Sequence, residues 1–189
     1  HAADTLPRMI SEGVSLGNKT EPPFQTKQIM TIVSGHFAHD VYTAFLSPLL
    51  PLLIEKLSFS LTLSGSLAAA TQLPSILSPF IGYLADRVSL RYFVILAPGV
   101  TATLISMLGR APTYPILLIL LLTCGVSVAA FHAPAPAMIA QLSGDRVGKG
   151  MSFFMAAGEL GRTLGPLIAV WAVSMWKLDG LFRMMAFGW

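Results

Sequence analysis

Residues 114–140 read YPILLILLLTCGVSVAAFHAPAPAMIA and contain no Asp, Glu, Lys or Arg. A helix needs roughly 20 apolar residues to cross the hydrocarbon core of a bilayer, and this stretch exceeds that length. In the whole chain of 189 residues, 54% of the residues are hydrophobic and only 11% are charged. Soluble proteins carry about 25% charged residues, and a soluble fold of this length could not bury so much apolar surface. The sequence therefore predicts an all-α membrane protein.

Further stretches of the chain have the length and composition of membrane-spanning helices. The predicted spans cover residues 29–54, 61–84, 92–108, 114–140 and 151–176, and a sixth span begins near Leu181. The connections between them are short, which favours antiparallel neighbours in a helical bundle. Residues 1–28 are polar and are expected to form a cytoplasmic segment. Residues 29–189 are expected to form a transmembrane bundle that is truncated within its sixth helix.

Lysine and arginine are distributed unevenly between the two ends of this predicted bundle. The N-terminal segment and the second and fourth connections carry seven of them: Arg8, Lys19, Lys27, Arg87, Arg91, Arg146 and Lys149. The opposite end carries Lys56, Arg110 and Lys177, with Arg183 just inside the sixth helix. Basic residues are enriched on the cytoplasmic side of membrane proteins. We therefore expect a multi-pass protein of the cell (inner) membrane with its N-terminus in the cytoplasm.

The second and fifth predicted helices share a sequence pattern. Residues 72–79 (QLPSILSP) align without gaps to residues 159–166 (ELGRTLGP), and Pro48 in the first helix lies at nearly the same offset from Pro134 in the fourth. Helices one to three and four to six then look like two units of opposite orientation, the 3+3 inverted repeat of secondary transporters. The alternative is chance similarity between segments rich in Leu, Ala and Pro.

The second connection, residues 82–91, reads GYLADRVSLR. It resembles the signature of the major facilitator superfamily between its second and third helices, G-x-L-A-D-R-x-G-R-[KR]. Ser89 and Leu90 depart from the pattern, and the matching residues are Gly82, Leu84, Ala85, Asp86, Arg87 and Arg91. A glycine allows close helix approach, and an acid is stabilised near a helix N-terminus. The alternative is an ordinary basic cytoplasmic loop.

The superfamily resemblance implies a partner for this loop. In the family the loop is a gate that contacts a second bundle, so Gly82, Asp86, Arg87 and Arg91 are expected to form a gating loop. The C-terminal six-helix bundle that it would contact is missing from this chain.

The fifth predicted helix contains Gly161, Gly165 and Pro166. This spacing resembles the G-x-x-x-G-P core of the fifth-helix motif of antiporters in the same superfamily. Small residues four positions apart give a helix a flat face for close packing, so generic packing is the alternative explanation.

Other stretches resemble a narrower group, the fosmidomycin-resistance-type efflux proteins. These are SGHFAHDVY at residues 34–42, FHAPA at 131–135, GKGMSFF at 148–154 and GELG at 158–161. The resemblance implies a proton-coupled antiporter of the drug-efflux type that exports small amphipathic molecules. Members of the group differ widely in cargo, so the substrate is not implied.

Ionisable residues inside the predicted spans are the candidate site. Each costs roughly 2.5–3.5 kcal/mol at membrane depth and therefore faces a cavity or a partner. Asp40 and Arg162 lie at the centres of helices one and five, while the others fall roughly 6–8 Å to the cytoplasmic side. We expect two polar layers, Asp40 with Arg162, and His36 with His132 and Glu159. Together they are predicted to form the substrate cavity and a proton relay.

Alternative roles exist for several of these residues. Glu159 and Arg162, at positions i and i+3, are also suited to pairing within one helix. A metal site formed by His36, His132 and Glu159 is disfavoured, because only their depth supports it. His39 is interpreted as a hydrogen-bonded packing residue of the core.

Three classes of function agree with the sequence to different degrees. The main hypothesis is a transporter of a small molecule and protons, without a cofactor. The second is a non-transporting scaffold or half-transporter that works only when paired with a second six-helix bundle. An enzyme is disfavoured because the sequence has no paired catalytic carboxylates, nucleophile elbow or metal-ligand spacing. The lack of a basic patch on a soluble surface excludes nucleic-acid binding.

Overall fold

The computed structural model describes residues 23–189, apart from the side chains of Ala85, Asp86 and Leu90. Most of the predicted cytoplasmic segment, with Arg8 and Lys19, lies outside the described residues. Within residues 23–189 the structure is helical and contains no β-strand, as the composition predicts.

Nine α-helices make up this described part of the chain. They are α1 (Thr26–Thr43), α2 (Leu46–Leu57), α3 (Leu61–Gln72), α4 (Ser78–Arg87), α5 (Leu90–Ser106), α6 (Tyr114–His132), α7 (Ala135–Ser143), α8 (Val147–Trp176) and α9 (Met185–Gly188). Turns of 3-10 helix cover Leu73–Leu77, Leu108–Arg110, Gly144–Arg146 and Leu178–Met184.

Helical stretches long and apolar enough to cross a membrane fill most of this region. They are Thr26–Leu57, Leu61–Leu84, Arg91–Arg110 and Tyr114–Trp176. The last of them contains 63 residues, several times the length that one span requires. Five complete spans with a 3+3 repeat remain a prediction.

Proline interrupts three of the predicted helices, namely the first, the second and the fourth. The first breaks between Thr43 and Leu46, and Pro48 follows in the first turn of α2. The fourth breaks between His132 and Ala135, at Pro134 and Pro136, and the second contains a 3-10 turn around Pro74. Proline lacks an N–H donor and its ring clashes with the carbonyl group four residues earlier, so the α-helix ends.

Helix α1 packs closely along α8 because α8 presents glycine to it. A methyl group at Gly161 would lie 2.6 Å from the carbonyl oxygen of Phe37, and one at Gly165 would lie 2.5 Å from that of Val41. The predicted flat packing face is therefore confirmed. At Gly82, by contrast, an added methyl group meets no described atom within 4 Å. The close helix approach expected at Gly82 is therefore not seen, and no described residue of α4 is buried.

Connections predicted to share one end of the bundle do meet in the structure. Lys56, in the last turn of α2, donates a hydrogen bond of 2.5 Å to the carbonyl oxygen of Gly109 and pairs with Asp179. At the other end, the backbone N–H of Gln25 donates to the carbonyl oxygen of Leu142 at 2.9 Å. These contacts agree with the predicted sorting of the first, third, fourth and fifth connections, and the assignment of one end to the cytoplasm remains a prediction.

The close packing of α1 against α8 can be tested by adding a single methyl group to a glycine of α8. We expect Gly165→Ala to lower the thermal stability of the full-length protein in detergent, by about 1–3 kcal/mol of unfolding free energy, because the helices must move apart. Gly65→Ala in α3 is the matched control, since a methyl group there meets no described atom within 4 Å. Equal melting temperatures for the two variants would contradict the packing described here.

Candidate functional site

Asp40 lies in the last turn of α1 with its side chain 2% exposed. Arg162 approaches from α8, and its Nη1 donates a hydrogen bond of 2.7 Å to Asp40 Oδ2. The two side chains meet, as their equal predicted depth suggests. An acid without a partner at this depth would be costly, so Arg162 offsets the burial of Asp40.

Two histidines contact the same carboxylate. His36, one turn earlier on α1, places Nε2 3.4 Å from Asp40 Oδ2. His132, the last residue of α6, places Nε2 3.3 Å from Oδ1. His36 is buried, whereas the side chain of His132 is 34% exposed. Asp40 therefore joins the two polar layers that the sequence suggested were separate.

The hydrogen on one nitrogen of His36 is fixed by its surroundings. Nδ1 lies 2.8 Å from the carbonyl oxygen of Phe154, which can only accept, so Nδ1 carries a hydrogen. Nε2 faces Asp40 but has no hydrogen bond of good geometry. Lone pairs on Nε2 and on the carboxylate repel each other, and a proton on either atom makes the contact attractive.

The partner of Glu159 differs from the one expected from the sequence. It pairs with Arg162 on its own helix and makes no described contact with His36 or His132. Gly158 faces His36 instead, since a methyl group there would lie 2.5 Å from His36 Cε1. The next residue points about 100° further around α8, so Glu159 turns away from the histidines. The alternative of pairing within the helix is the correct one.

These five residues are called the Asp40 cluster: His36, Asp40, His132, Glu159 and Arg162. His39 lies beside it, fully buried, with its ring stacked on Phe131 at 4.7 Å between centroids. Its packing role is confirmed. The expected hydrogen bonds are absent, because neither ring nitrogen has a partner among the described protein groups.

A cavity of about 450 Å³ adjoins the Asp40 cluster. Asp40, His132 and Arg162 form its ionisable wall, and the other polar lining residues are Thr43, Ser47, Thr71, Gln72 and Cys124. Three helix ends meet here, since α1 ends at Thr43, α3 at Gln72 and α6 at His132. Interrupted helices often flank the substrate site of transporters, because their ends expose backbone polar groups.

The polar lining residues were missed by the reasoning from sequence, although signals for them exist. Thr43 and Ser47 follow Asp40 at positions i+3 and i+7, which places all three on one helical face. Gln72 aligns with Glu159 in the proposed internal repeat. A search for polar residues along the face of Asp40 would have found the first two.

Metal binding is the other chemistry that these donors suggest. Ligand atoms of His36, Asp40 and His132 lie within 4.8 Å of one another. Arg162 already places a positive charge 2.7 Å from the carboxylate, and a second cation there would be repelled. The ion pair therefore weighs against a metal ion at these donors. Glu159, part of the disfavoured metal alternative, is not in this group.

None of the described side chains of the predicted gating loop lines the cavity beside the Asp40 cluster. Arg87 donates a hydrogen bond of 2.5 Å to the hydroxyl group of Tyr83, one turn earlier on α4. Arg91 is exposed at the start of α5. The side chain of Asp86 lies outside the described part of the chain.

Comparison with known proteins identifies the family. The family model of the Major Facilitator Superfamily matches residues 32–188. The fosmidomycin resistance protein of Escherichia coli (strain K12) is 26% identical over 136 residues, covering 71% of this chain and 34% of the relative. The uncharacterized MFS-type transporter YfnC of Bacillus subtilis (strain 168) is 25% identical over 186 residues, covering 89% of this chain and 45% of the relative.

The chain thus spans less than half the length of either relative. The relatives agree with the resemblance found in its motifs, and the apolar helices indicate a multi-pass membrane protein. With a family match over most of its residues, this chain belongs to the Major Facilitator Superfamily.

Proposed function

We propose that this chain is half of a secondary active transporter that exports small amphipathic molecules in exchange for protons. Family membership supports a transporter over an enzyme. One relative is named for resistance to fosmidomycin, which supports export of a drug-like cargo. Fosmidomycin is therefore the first compound to test.

The main observation in support of proton coupling is the position of Asp40. Its carboxylate contacts one guanidinium and two imidazole groups at the wall of the cavity. With neutral histidines, the two carboxylates and one guanidinium of the Asp40 cluster sum to a charge of −1. One proton would bring the cluster to neutrality, which is the change of charge that coupling to protons requires.

Protonation would also change the groups that the cavity presents to cargo. When Asp40 is charged, Arg162 is held between Asp40 and Glu159. A neutral Asp40 loses the ionic part of this attraction, and the Arg162 side chain, already 46% exposed, becomes free to turn towards the cavity. A group that changes its partners with protonation can favour one conformation over another, and coupling requires such a group.

A second bundle is proposed as the partner of this chain. Apolar side chains on α3, α4 and α8 are exposed, among them Leu61, Phe80, Tyr83, Leu160 and Leu167. The relatives are more than twice the length that the match covers. The competing hypothesis is a non-transporting scaffold or half-transporter that works only when paired with a second six-helix bundle. Transport by the full-length protein without a separately expressed bundle would contradict it.

Asp40→Asn tests the coupling proposal in the full-length protein. We expect loss of pH-gradient-driven fosmidomycin transport in inverted membrane vesicles, because the amide cannot take up the proton. Exchange of labelled for unlabelled fosmidomycin without a gradient should persist, because the fold and the cavity remain.

Asp179→Asn is the matched control, since it removes an ion pair with Lys56 far from the cavity. It should leave gradient-driven transport close to wild type. Normal gradient-driven transport by Asp40→Asn, with its pH dependence intact, would rule out Asp40 as the coupling group. Unfolding of that variant would favour a structural role as the partner of Arg162.

The gating proposal makes a separate prediction. Asp86→Asn in the full-length protein should slow transport of fosmidomycin while membrane insertion stays normal, because Asp86 is proposed to stabilise one conformation and does not bind cargo. Asp145→Asn, an exposed acid in another connection at the same end, is the control. Unchanged transport rates at equal expression would refute the gating role.

A further inference from the structure

A second concave surface lies between α5 and α6, away from the cavity. This groove of about 380 Å³ is lined along α5 by Tyr92, Phe93, Leu96, Ala97 and Val100. On α6 it uses the face of Thr123, Ser127 and Ala130, whereas the cavity uses that of Cys124, Val128 and His132. The groove is therefore not a branch of the proposed cargo site.

The groove offers almost no hydrogen-bonding group to an occupant. Ser127 accepts a hydrogen bond of 2.9 Å from Thr101 and donates one of 3.1 Å to the carbonyl oxygen of Ala97. Thr123 donates to the carbonyl oxygen of Ile119 at 2.8 Å. Because these hydroxyl groups already have partners within the protein, the remaining surface suits a hydrocarbon. A polar ligand would lose hydrogen bonds to water there without replacing them.

The length of the groove matches one leaflet of a bilayer. From Tyr92 to Val100, α5 rises by roughly 12 Å, at 1.5 Å per residue. Half of a hydrocarbon core is roughly 15 Å thick. An acyl chain could therefore lie along most of the groove from the membrane surface inwards.

Positive charge lies at the outer end of the groove. Arg91 immediately precedes Tyr92 and is exposed, and Arg87 is exposed nearby at the end of α4. The connecting sequence contains these two arginines against one acid, Asp86. Basic residues at this level attract anionic lipid headgroups.

We propose that this groove binds an anionic phospholipid, with one acyl chain along α5 and α6 and its phosphate group beside Arg91. Apolar lining and basic entrance together favour a charged lipid over a second copy of the chain, which would bring the same arginines to the contact. The proposal is independent of proton coupling and of cargo.

Native mass spectrometry of the full-length protein in neutral detergent tests the site, with phosphatidylglycerol and phosphatidylcholine as probes. We expect one tightly retained phosphatidylglycerol, and a rise in melting temperature that phosphatidylcholine does not match. Ala130→Phe should abolish retention by filling the groove. Arg91→Gln should weaken the preference for phosphatidylglycerol about fivefold, the effect of one basic residue near the headgroup, and keep acyl binding.

Matched controls separate the site from general lipid effects. Ile95→Phe enlarges an exposed side chain of α5 that does not line the groove, and Arg146→Gln removes an exposed arginine at the same end of the bundle. Both should behave as wild type. If Ala130→Phe fails to fold, Val100→Phe fills the inner end of the groove and should also abolish retention.

Three results would overturn the proposal. One is full retention of phosphatidylglycerol by a folded groove-filling variant. The second is equal retention of the two lipids by the wild-type protein. The third is a dimer that replaces the lipid and is lost in Ala130→Phe.

Discussion

Asp40 carries a carboxylate at a depth where neither lipid nor bulk water can solvate it, so its burial must be offset by protein groups. That requirement is met by Arg162, which can reach Asp40 only because α8 lies directly against α1. The approach in turn depends on Gly158, Gly161 and Gly165, where any side chain would collide with α1. The glycine face is thus the structural condition for the central ion pair, and the glycines of α8 and the Asp40 cluster form one unit.

The helix interruptions serve the same region. Continuous helices would bury their backbone groups in internal hydrogen bonds and leave only side chains to line a cavity. Here the ends of α1, α3 and α6 fall at the cavity wall, and His132 occupies the last position of α6. A residue at a helix end has fewer neighbours on its own chain, which agrees with the partial exposure of His132 beside the fully enclosed Asp40.

Much of this arrangement could be predicted from the sequence, and the failures have physical causes. Hydropathy predicts the spans because lipid selects apolar residues regardless of tertiary contacts. Depth along each helix predicts the meeting of Asp40 and Arg162. Depth alone does not give the rotation of a helix about its axis, so it groups Glu159 with the histidines although Gly158 faces them. The prolines predict interruptions. Thr43 and Ser47 share the helical face of Asp40 and were missed because neither side chain is ionisable.

The contact of Lys56 with Gly109 and Asp179 has a practical consequence for mapping topology. This lysine joins the end of α2 to the connections after α5 and after α8, so residues 109–113 and 177–180 are poor places for an inserted epitope or reporter. An insertion there would separate the lysine from its partners and disturb the very arrangement being mapped. The exposed 3-10 turn of Gly144–Arg146, where the described ion pair joins adjacent residues only, is the better position for such a label.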